Sequence, residues 1–323
     1  MNLEELMLRA IANAESFKYT AKPNPVVGAI LCKDNEIISE GYHEVYGSNH
    51  AEINAISNAR KFLGEKFNSF AELTLICTLE PCSHVGKTGS CAQEIARTGV
   101  KKVVIGSIDP NPKVSGKGIE ILKKNNIDVV VGIHEDNVKN QNKYFFFRHT
   151  NNRPYFILKI ASSLDGKSHI ISDERTIITS EASRDDVQIL RASSDAILTG
   201  GNTLINDNPR MNARVNFPIN QPKKILLTSR DHDLKLNFFK DKIPSPDPFI
   251  SDVSVNIASS SKGNPLSTIV CIHFSANIMN GTARKAHPSI YCSLLYIQPS
   301  KRRQQRRVNV DHTIMPIIDK IVT

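Results

Sequence analysis

Three residues that bind zinc well, His50, Cys82 and Cys91, limit the possible folds of this chain more than any other feature. Tetrahedral zinc favours histidine nitrogen and cysteine thiolate, and a catalytic zinc keeps a fourth position open for water. A fold that uses all three residues must bring residue 50 close to a segment that lies more than thirty residues later, at residues 82–91. Glu52 lies two positions after the histidine, where we expect its carboxylate to stay outside the zinc ligands and to move protons.

The order H-x-E, then P-C, then a second cysteine is typical of a hydrolytic deaminase. A closed structural zinc site is the alternative, and it needs a fourth ligand, for which His84 is the nearby candidate. Eight residues separate Cys82 from Cys91, unlike the C-x-x-C spacing of structural zinc fingers. We therefore predict one catalytic Zn²⁺ held by His50, Cys82 and Cys91, with Glu52 as the catalytic residue.

Length and composition indicate an ordinary globular protein of two domains. The chain has 323 residues, of which 40% are hydrophobic and 23% are charged. It has no long apolar run that predicts a transmembrane helix, and its acidic, amphipathic start is not a signal peptide. Six scattered cysteines without a disulfide framework fit a reducing, cytoplasmic location.

The formal net charge of +9 raises the question of a nucleic-acid partner. Much of the excess lies in one basic run at residues 301–307, and the rest of the chain is only mildly basic. Without a recognisable binding motif, we expect neither a nucleic acid nor a membrane as partner.

The first 148 residues alternate between apolar runs of strand type and amphipathic helical segments, which predicts a three-layer α/β domain. Helices are expected at residues 3–17, 50–63, 91–98 and 118–125. Strands are expected at residues 26–32, 37–41, 73–78, 103–107 and 128–132. His50 and Cys91 then lie at helix starts, where the helix dipole favours negative charge.

A second domain is expected after a connection at residues 149–154. Strands are predicted at residues 155–160, 196–199 and 225–229, with a helix at residues 179–191. Gly200 and Gly201 follow a strand, and such glycines either let backbone amides approach a phosphate or form an ordinary tight turn. We place this partial domain at residues 155–230 and an irregular tail at residues 231–323.

Longer segments around the zinc motif resemble the deaminase half of the bifunctional riboflavin-biosynthesis deaminase-reductase family. They lie at residues 23–28, 78–88 and 109–118, and the match runs from about residue 3 to about residue 148. The wide cysteine spacing distinguishes this family from cytidine and tRNA-adenosine deaminases. One departure is Gly89-Ser90, where the family usually has two prolines. The resemblance implies a cytidine-deaminase-like α/β/α domain in which Asn24 anchors the pyrimidine.

Segments 159–167, 184–192 and 203–209 resemble the reductase half of the same family, which is similar to dihydrofolate reductase and uses NADPH. Arg175 and Ile177 depart from the residues usual in the family. The resemblance implies contacts to NADPH from Ala161, Ile177, Thr203 and Asp207, and contacts to substrate from Arg175, Arg191, Met211 and Arg214.

The similarity to the reductase breaks off near residue 231. The family continues with a Gly-rich E-G-G-P or E-A-G-P segment, whereas residues 231–323 of this chain contain no glutamate at all. Their composition predicts a poorly folded segment, consistent with a frameshift or a decayed gene end. An unusual but folded extension is the alternative. We expect a competent deaminase joined to an impaired reductase.

The resemblance implies one substrate, 2,5-diamino-6-(5-phosphoribosylamino)pyrimidin-4(3H)-one, and a homo-oligomeric assembly. Deamination gives 5-amino-6-(5-phosphoribosylamino)uracil, whose ribose the reductase converts to a ribityl chain. Two other functions stay open at this point: a deaminase of other nucleobases or nucleosides, including those in tRNA, and a zinc protein that serves as a scaffold. The wide cysteine spacing argues against the first, and Glu52 argues against the second.

Overall fold

The computed structural model describes residues 2–64, 70–83, 89–168, 176–228 and 232–240, together with the backbone of residues 272–275. It divides into two compact units, each considered by itself below. The first unit comprises Met1–Arg153 with Pro218–Asn220, and the second comprises Pro154–Phe217 with Gln221–Thr323.

The first unit is built on a five-stranded sheet in the order β2-β1-β3-β4-β5. Strand β1 pairs antiparallel with β2 and β3, whereas β3, β4 and β5 are parallel. The strands are β1 (Gly28–Lys33), β2 (Glu36–Tyr42), β3 (Thr74–Leu79), β4 (Lys102–Ser107) and β5 (Asp128–Val131). The helices are α1 (Leu3–Ala14), α2 (Ala51–Leu63), α3 (Cys91–Thr98), α4 (Lys117–Lys124), α5 (Glu135–Gln141) and α6 (Lys143–Asn151), and a 3-10 turn at Glu15–Phe17 follows α1.

Alternate residues of the strands pack against helices on opposite faces of this sheet. In β1, Ala29 and Leu31 join the cluster that α2, α3 and α4 cover, whereas Ile30 and Cys32 join the cluster under α1. Successive side chains of a strand point to opposite faces, so strands buried on both sides need apolar residues at nearly every position. The predicted three-layer α/β/α class is confirmed.

The predicted connection after the first domain is partly wrong. Helix α6 (Lys143–Asn151) overlaps the first residues of the connection predicted at 149–154. Phe145 is buried against Val138 of the preceding helix α5 and against Leu79, which lies far from it in sequence. Tertiary packing of this aromatic residue favours a helix that the local pattern does not reveal.

The second unit is also an α/β structure, with a four-stranded sheet in the order β6-β9-β7-β8. Strands β7 and β8 are parallel, and β9 pairs antiparallel with β6 and β7. The strands are β6 (Tyr155–Leu158), β7 (Ala196–Gly200), β8 (Lys223–Leu227) and β9 (Ile272–Ser275). The helices are α7 (Glu181–Ser193), α8 (Gly201–Asp207) and α9 (Asn237–Lys240), so Gly200 ends β7 and Gly201 begins a short helix.

Two elements fall within the segment that composition predicted as an irregular tail. Strand β9 lies between β6 and β7, and helix α9 buries Phe238 fully against a cluster that includes Leu226 and Met211. The fold therefore extends past the predicted boundary at residue 230, because apolar residues without a regular period can still fill a core. Apart from residues 232–240 and 272–275, this segment, including the basic run, lies outside the described residues.

Within the described ranges, the structure contains no helix that is both long enough and apolar enough to cross a membrane.

Candidate metal centre and active site

Two helix starts and one strand end present the three predicted zinc ligands. His50 is the N-cap residue of α2, yet its side chain makes no capping hydrogen bond. Cys91 is the first residue of α3, and Cys82 follows the end of β3 by three residues. Ser90 caps α3 through its hydroxyl oxygen, which also donates a hydrogen bond to the Cys82 carbonyl at 3.0 Å. One short loop thus fixes the two cysteines relative to each other.

The ligand atoms of His50, Cys82 and Cys91 all lie within 4.8 Å of one another. His50 Nδ1 is 3.2 Å from Cys91 Sγ and 3.6 Å from Cys82 Sγ. A tetrahedral zinc with ordinary bond lengths places its nitrogen and sulfur ligands about 3.5–3.8 Å apart. The arrangement fits zinc, and no fourth protein ligand lies beside it among the described residues. His84, the fourth ligand of the structural alternative, lies outside the described residues.

The local electrostatics favour a thiolate, the form of cysteine that binds metal. The pKa of Cys82 is lowered, chiefly because the Cys91 thiol hydrogen-bonds to it and also because His50 lies beside it. The backbone N–H of Cys91 donates to the same sulfur at 3.4 Å.

Glu52 lies in the first turn of α2 and is only 3% exposed. Burial raises the pKa of this carboxyl group to about 7, although the nearby His50 opposes the shift. A general acid-base catalyst works best when its pKa is near the working pH. Glu52 can therefore both accept and donate a proton at neutral pH.

Asn24, the predicted pyrimidine contact, is oriented by a histidine that sequence reasoning did not identify. His43 Nδ1 lies 3.0 Å from the Asn49 carbonyl oxygen, which can only accept, so Nδ1 carries the proton. His43 Nε2 must then accept a hydrogen bond from Asn24 Nδ2 at 2.9 Å. Asn24 Oδ1 is buried and has no hydrogen-bond partner within the described part of the chain.

The His43 ring also packs edge-on against the ring of the predicted zinc ligand His50, with centroids 5.5 Å apart. Asn24 is therefore tied to the zinc site through one intervening side chain. None of the sequence motifs includes His43; its only signal is a histidine that directly follows β2.

In the second unit, two residues predicted to contact substrate, Arg191 and Arg214, converge on Asn212. The guanidinium group of Arg191 donates to the Asn212 carbonyl at 3.1 Å, and that of Arg214 donates to the Asn212 side chain at 3.4 Å. The backbone N–H of Arg214 also donates to Gln188 Oε1 at 3.1 Å, which ties it to α7. Two guanidinium groups near one residue can hold a phosphate.

The other predicted residues of the second unit occupy varied environments. Thr203 and Asp207 both lie on α8, Ala161 follows β6 and is half-buried, and Ile177 is 68% exposed. Met211 is buried with a left-handed backbone conformation (φ 54°), which costs energy in a residue other than glycine. Arg175 lies outside the described residues.

Family models match both units. Residues 1–107 match the model of the cytidine and deoxycytidylate deaminase zinc-binding region. Residues 154–247 match the model of the RibD C-terminal domain. The second match continues beyond residue 230, the limit predicted for the reductase-like domain.

Curated relatives are similar to this chain over much of its length. The riboflavin biosynthesis protein RibD of Aquifex aeolicus is 42% identical over 221 residues, which are 68% of this chain and 60% of the relative. RibD of Escherichia coli is 42% identical over 214 residues, 66% of this chain and 56% of the relative. The chain thus spans less than two thirds of the length of these curated relatives.

Two solved structures are also similar to this chain. RibD of Acinetobacter baumannii has a TM-score of 0.67 and 39% identity, covering 74% of this chain and 67% of its own. A diaminohydroxyphosphoribosylaminopyrimidine deaminase/5-amino-6-(5-phosphoribosylamino)uracil reductase of Thermotoga maritima has a TM-score of 0.62 and 36% identity, with the same coverage.

Proposed function

This chain belongs to the RibD family of riboflavin biosynthesis proteins, and we propose that its first unit is a zinc-dependent pyrimidine deaminase. The observation that carries the proposal is the convergence of His50, Cys82 and Cys91 beside the buried Glu52. The substrate is 2,5-diamino-6-(5-phosphoribosylamino)pyrimidin-4(3H)-one, whose ring amino group leaves as ammonia.

His50, Cys82 and Cys91 hold the zinc. When bound, zinc supplies a Lewis acid that makes water nucleophilic at neutral pH. Glu52 accepts a proton from the attacking water and delivers it to the departing amine, while the second proton of the water passes to the ring nitrogen, so that the products are a ring carbonyl and ammonia. The pKa of Glu52, which burial raises to about 7, suits both transfers.

Asn24 positions the pyrimidine. Because His43 holds its amide nitrogen, its buried oxygen Oδ1 is the atom presented to a ligand. A buried acceptor without a partner is costly, and an N–H group of the aminopyrimidine satisfies it. This arrangement selects a ring edge that donates a hydrogen bond.

The second unit corresponds to the NADPH-dependent reductase of the family, with reduction impaired in this chain. Arg191 and Arg214 bind the phosphate of the deaminated intermediate. Ala161, Thr203 and Asp207 contact NADPH. The impairment rests on composition: residues 231–323 contain no glutamate, whereas the family pattern requires an acidic Gly-rich segment there.

We place the enzyme in the cytoplasm and assign it a phosphorylated pyrimidine as its small-molecule partner. Assembly into a homo-oligomer follows from the family resemblance alone. A deaminase acting on other nucleobases is the second candidate, since the zinc-binding model shared with cytidine deaminases covers residues 1–107.

Ammonia release tests the proposal directly. The full chain is incubated with the diaminopyrimidinone phosphate, with cytidine and with tRNA, before and after zinc removal by a chelator. We expect release from the first substrate alone, loss of at least about 100-fold without zinc, and recovery when zinc is restored. Release from cytidine or tRNA instead, or full activity without metal, would contradict it.

A further inference from the structure

Glu80 is a buried carboxylate for which the proposed deamination has no use. It follows β3 directly, precedes Pro81 and the zinc ligand Cys82, and is only 3% exposed. No ion pair involving Glu80 occurs among the described residues. A buried carboxylate needs hydrogen bonds or a counter-charge to offset its desolvation. The groups that bind the Glu80 carboxylate therefore indicate which part of the fold it stabilises.

Four backbone N–H groups surround this carboxylate, and all come from one segment. We call residues 109–119 the β4–α4 loop, since they join the end of β4 to the first turn of α4. Oε2 accepts from Asp109 at 3.2 Å and from Gly116 at 3.0 Å. Oε1 accepts from Gly118 at 3.0 Å and from Ile119 at 3.3 Å. One side chain thus fixes both ends of the loop.

The same loop lies directly against the cysteine ligand segment. A Cβ atom placed on Gly118 would lie 2.0 Å from the Pro81 carbonyl oxygen, so the loop backbone packs tightly on the residue before Cys82. On the other side of Cys82, the Ser83 hydroxyl donates to the Lys113 carbonyl at 3.4 Å. The loop therefore borders the zinc site on both sides of this ligand.

The loop also carries groups suited to a phosphorylated substrate. Lys113 and Lys117 are both exposed, and the ammonium group of Lys117 folds back onto the carbonyls of Pro112 and Lys113 at 3.2 and 3.3 Å. A phosphate requires cations held at a defined distance from the reacting ring. A loop fixed at its two ends can provide that distance.

We propose that Glu80 is a positioning residue of the deaminase: by holding the β4–α4 loop against the Cys82 segment, it sets how tightly the ribosyl phosphate part of the substrate is bound. The proposal rests on the proposed function. It assigns two separate tasks. The zinc ligands and Glu52 perform the chemistry, whereas the loop binds a part of the substrate that is remote from the reacting ring carbon. Loss of Glu80 should then raise KM more than it lowers kcat.

The test compares Glu80→Gln with Glu120→Gln in the full zinc-loaded chain. The amide has the shape of the carboxylate but only one acceptor oxygen, so two of the four N–H groups lose their partner. We expect KM for ammonia release to rise on the order of tenfold, with kcat and zinc content within about twofold of wild type. Glu120 is an exposed glutamate in the first turn of α4, and its replacement should change neither constant.

A second variant changes the backbone of the β4–α4 loop and leaves the Glu80 side chain itself unchanged. Gly116 has a left-handed backbone (φ 77°) and open space at the Cβ position, so Gly116→Ala strains the turn without a clash. We expect a smaller rise in KM, about threefold, by the same mechanism. This variant decides the matter if Glu80→Gln does not fold.

Several results would overturn the proposal: an unchanged KM in Glu80→Gln or in Gly116→Ala, a fall in kcat alone, or loss of zinc from folded Glu80→Gln. Calorimetric binding of the deaminated product gives the same comparison without turnover. A wild-type chain that binds this product in a Glu80-dependent way but releases no ammonia would contradict the proposed function and support the role of Glu80.

Discussion

The helices α2 and α7 both have thirteen residues, but they are embedded very differently. Helix α2 buries five residues, including Glu52, whereas α7, all of which the structure describes, buries Ala192 alone. The same contrast holds for acidic side chains. The first unit buries Glu52, Glu80 and Asp109, whereas in the described part of the second unit no carboxylate is buried.

This contrast shows what a preorganised site requires. Burying a carboxylate costs several kcal/mol unless dipoles or hydrogen bonds offset it, and the first unit provides those with helix starts and loop amides around one point. In the second unit, the predicted contacts are mostly exposed or half-buried. The first unit can therefore hold its reacting groups in place before substrate binds.

The largest effect is expected from Glu52→Gln. This change keeps the side-chain shape but removes the group that moves protons, so ammonia release should fall about 1000-fold. Zinc content, measured by atomic absorption, should stay that of wild type, since the carboxylate is not a ligand. Glu36→Gln, at an exposed position of β2, serves as the control. Zinc loss from Glu52→Gln would place this residue among the ligands.

Phe238→Ala tests whether α9 belongs to the second core. The side chain is fully buried beside Ile197 and Leu204, so its removal should lower the stability of the second unit by about 3–5 kcal/mol. Hydrogen exchange read by mass spectrometry should quicken in β7 and β8 but stay unchanged in β1 and β3. Phe62→Ala is the control, because Phe62 is 73% exposed. Unchanged hydrogen exchange in β7 would show that α9 does not stabilise this core.

A smaller effect is expected for NADPH, measured by fluorescence titration and by reduction of the deaminated intermediate. Without the acidic Gly-rich segment, we expect binding on the order of tenfold weaker than in a RibD relative that is assayed in parallel. Ammonia release from the same preparation shows that the chain is folded. Reduction at the rate of the relative would show that this chain completes its reductase site in another way.

The smallest effect concerns pH. Burial, with the neighbouring Glu80 carboxylate contributing, raises the pKa of Asp109 from 3.8 to about 7. Because the folded chain holds this proton more tightly than the unfolded chain, stability is greatest at low pH and falls as pH rises towards 7. Between pH 5 and 8, the free energy of unfolding should fall on the order of 1 kcal/mol more in wild type than in Asp109→Asn. Parallel curves from urea titrations would disprove the shift.

Local sequence predicted most of the first unit well. The helices predicted at residues 50–63 and 91–98 agree to within one residue with α2 (Ala51–Leu63) and α3 (Cys91–Thr98). The period did not reveal α6, whose Phe145 is buried in a cluster with Leu79 and Val138 of other elements. It did not reveal α9 either, because four residues are too few to show a period. Both short segments depend on contacts that no local window contains.

The candidate site likewise contains some residues that the sequence predicted and others that it did not. His50, Glu52, Cys82 and Cys91 were predicted from residue type and spacing, because few other side chains bind zinc or move protons at those positions. His43 and Glu80 were not predicted to have roles, although both are plain in the sequence. Their partners are the Asn49 carbonyl and the amides of the β4–α4 loop. Backbone groups are present at every residue, so sequence gives no sign of which ones a side chain will meet.

The sequence by itself determined the chemistry of this protein: which atoms can hold a metal, which can carry a proton, and which family the chain resembles. Only the tertiary structure decided the orientation and support of those atoms, through the His43 contact that holds the Asn24 amide nitrogen and the Glu80 contacts that fix the loop. The physical reason is that reactivity is a property of a side chain, whereas orientation depends on burial and on hydrogen bonds to backbone brought together by folding.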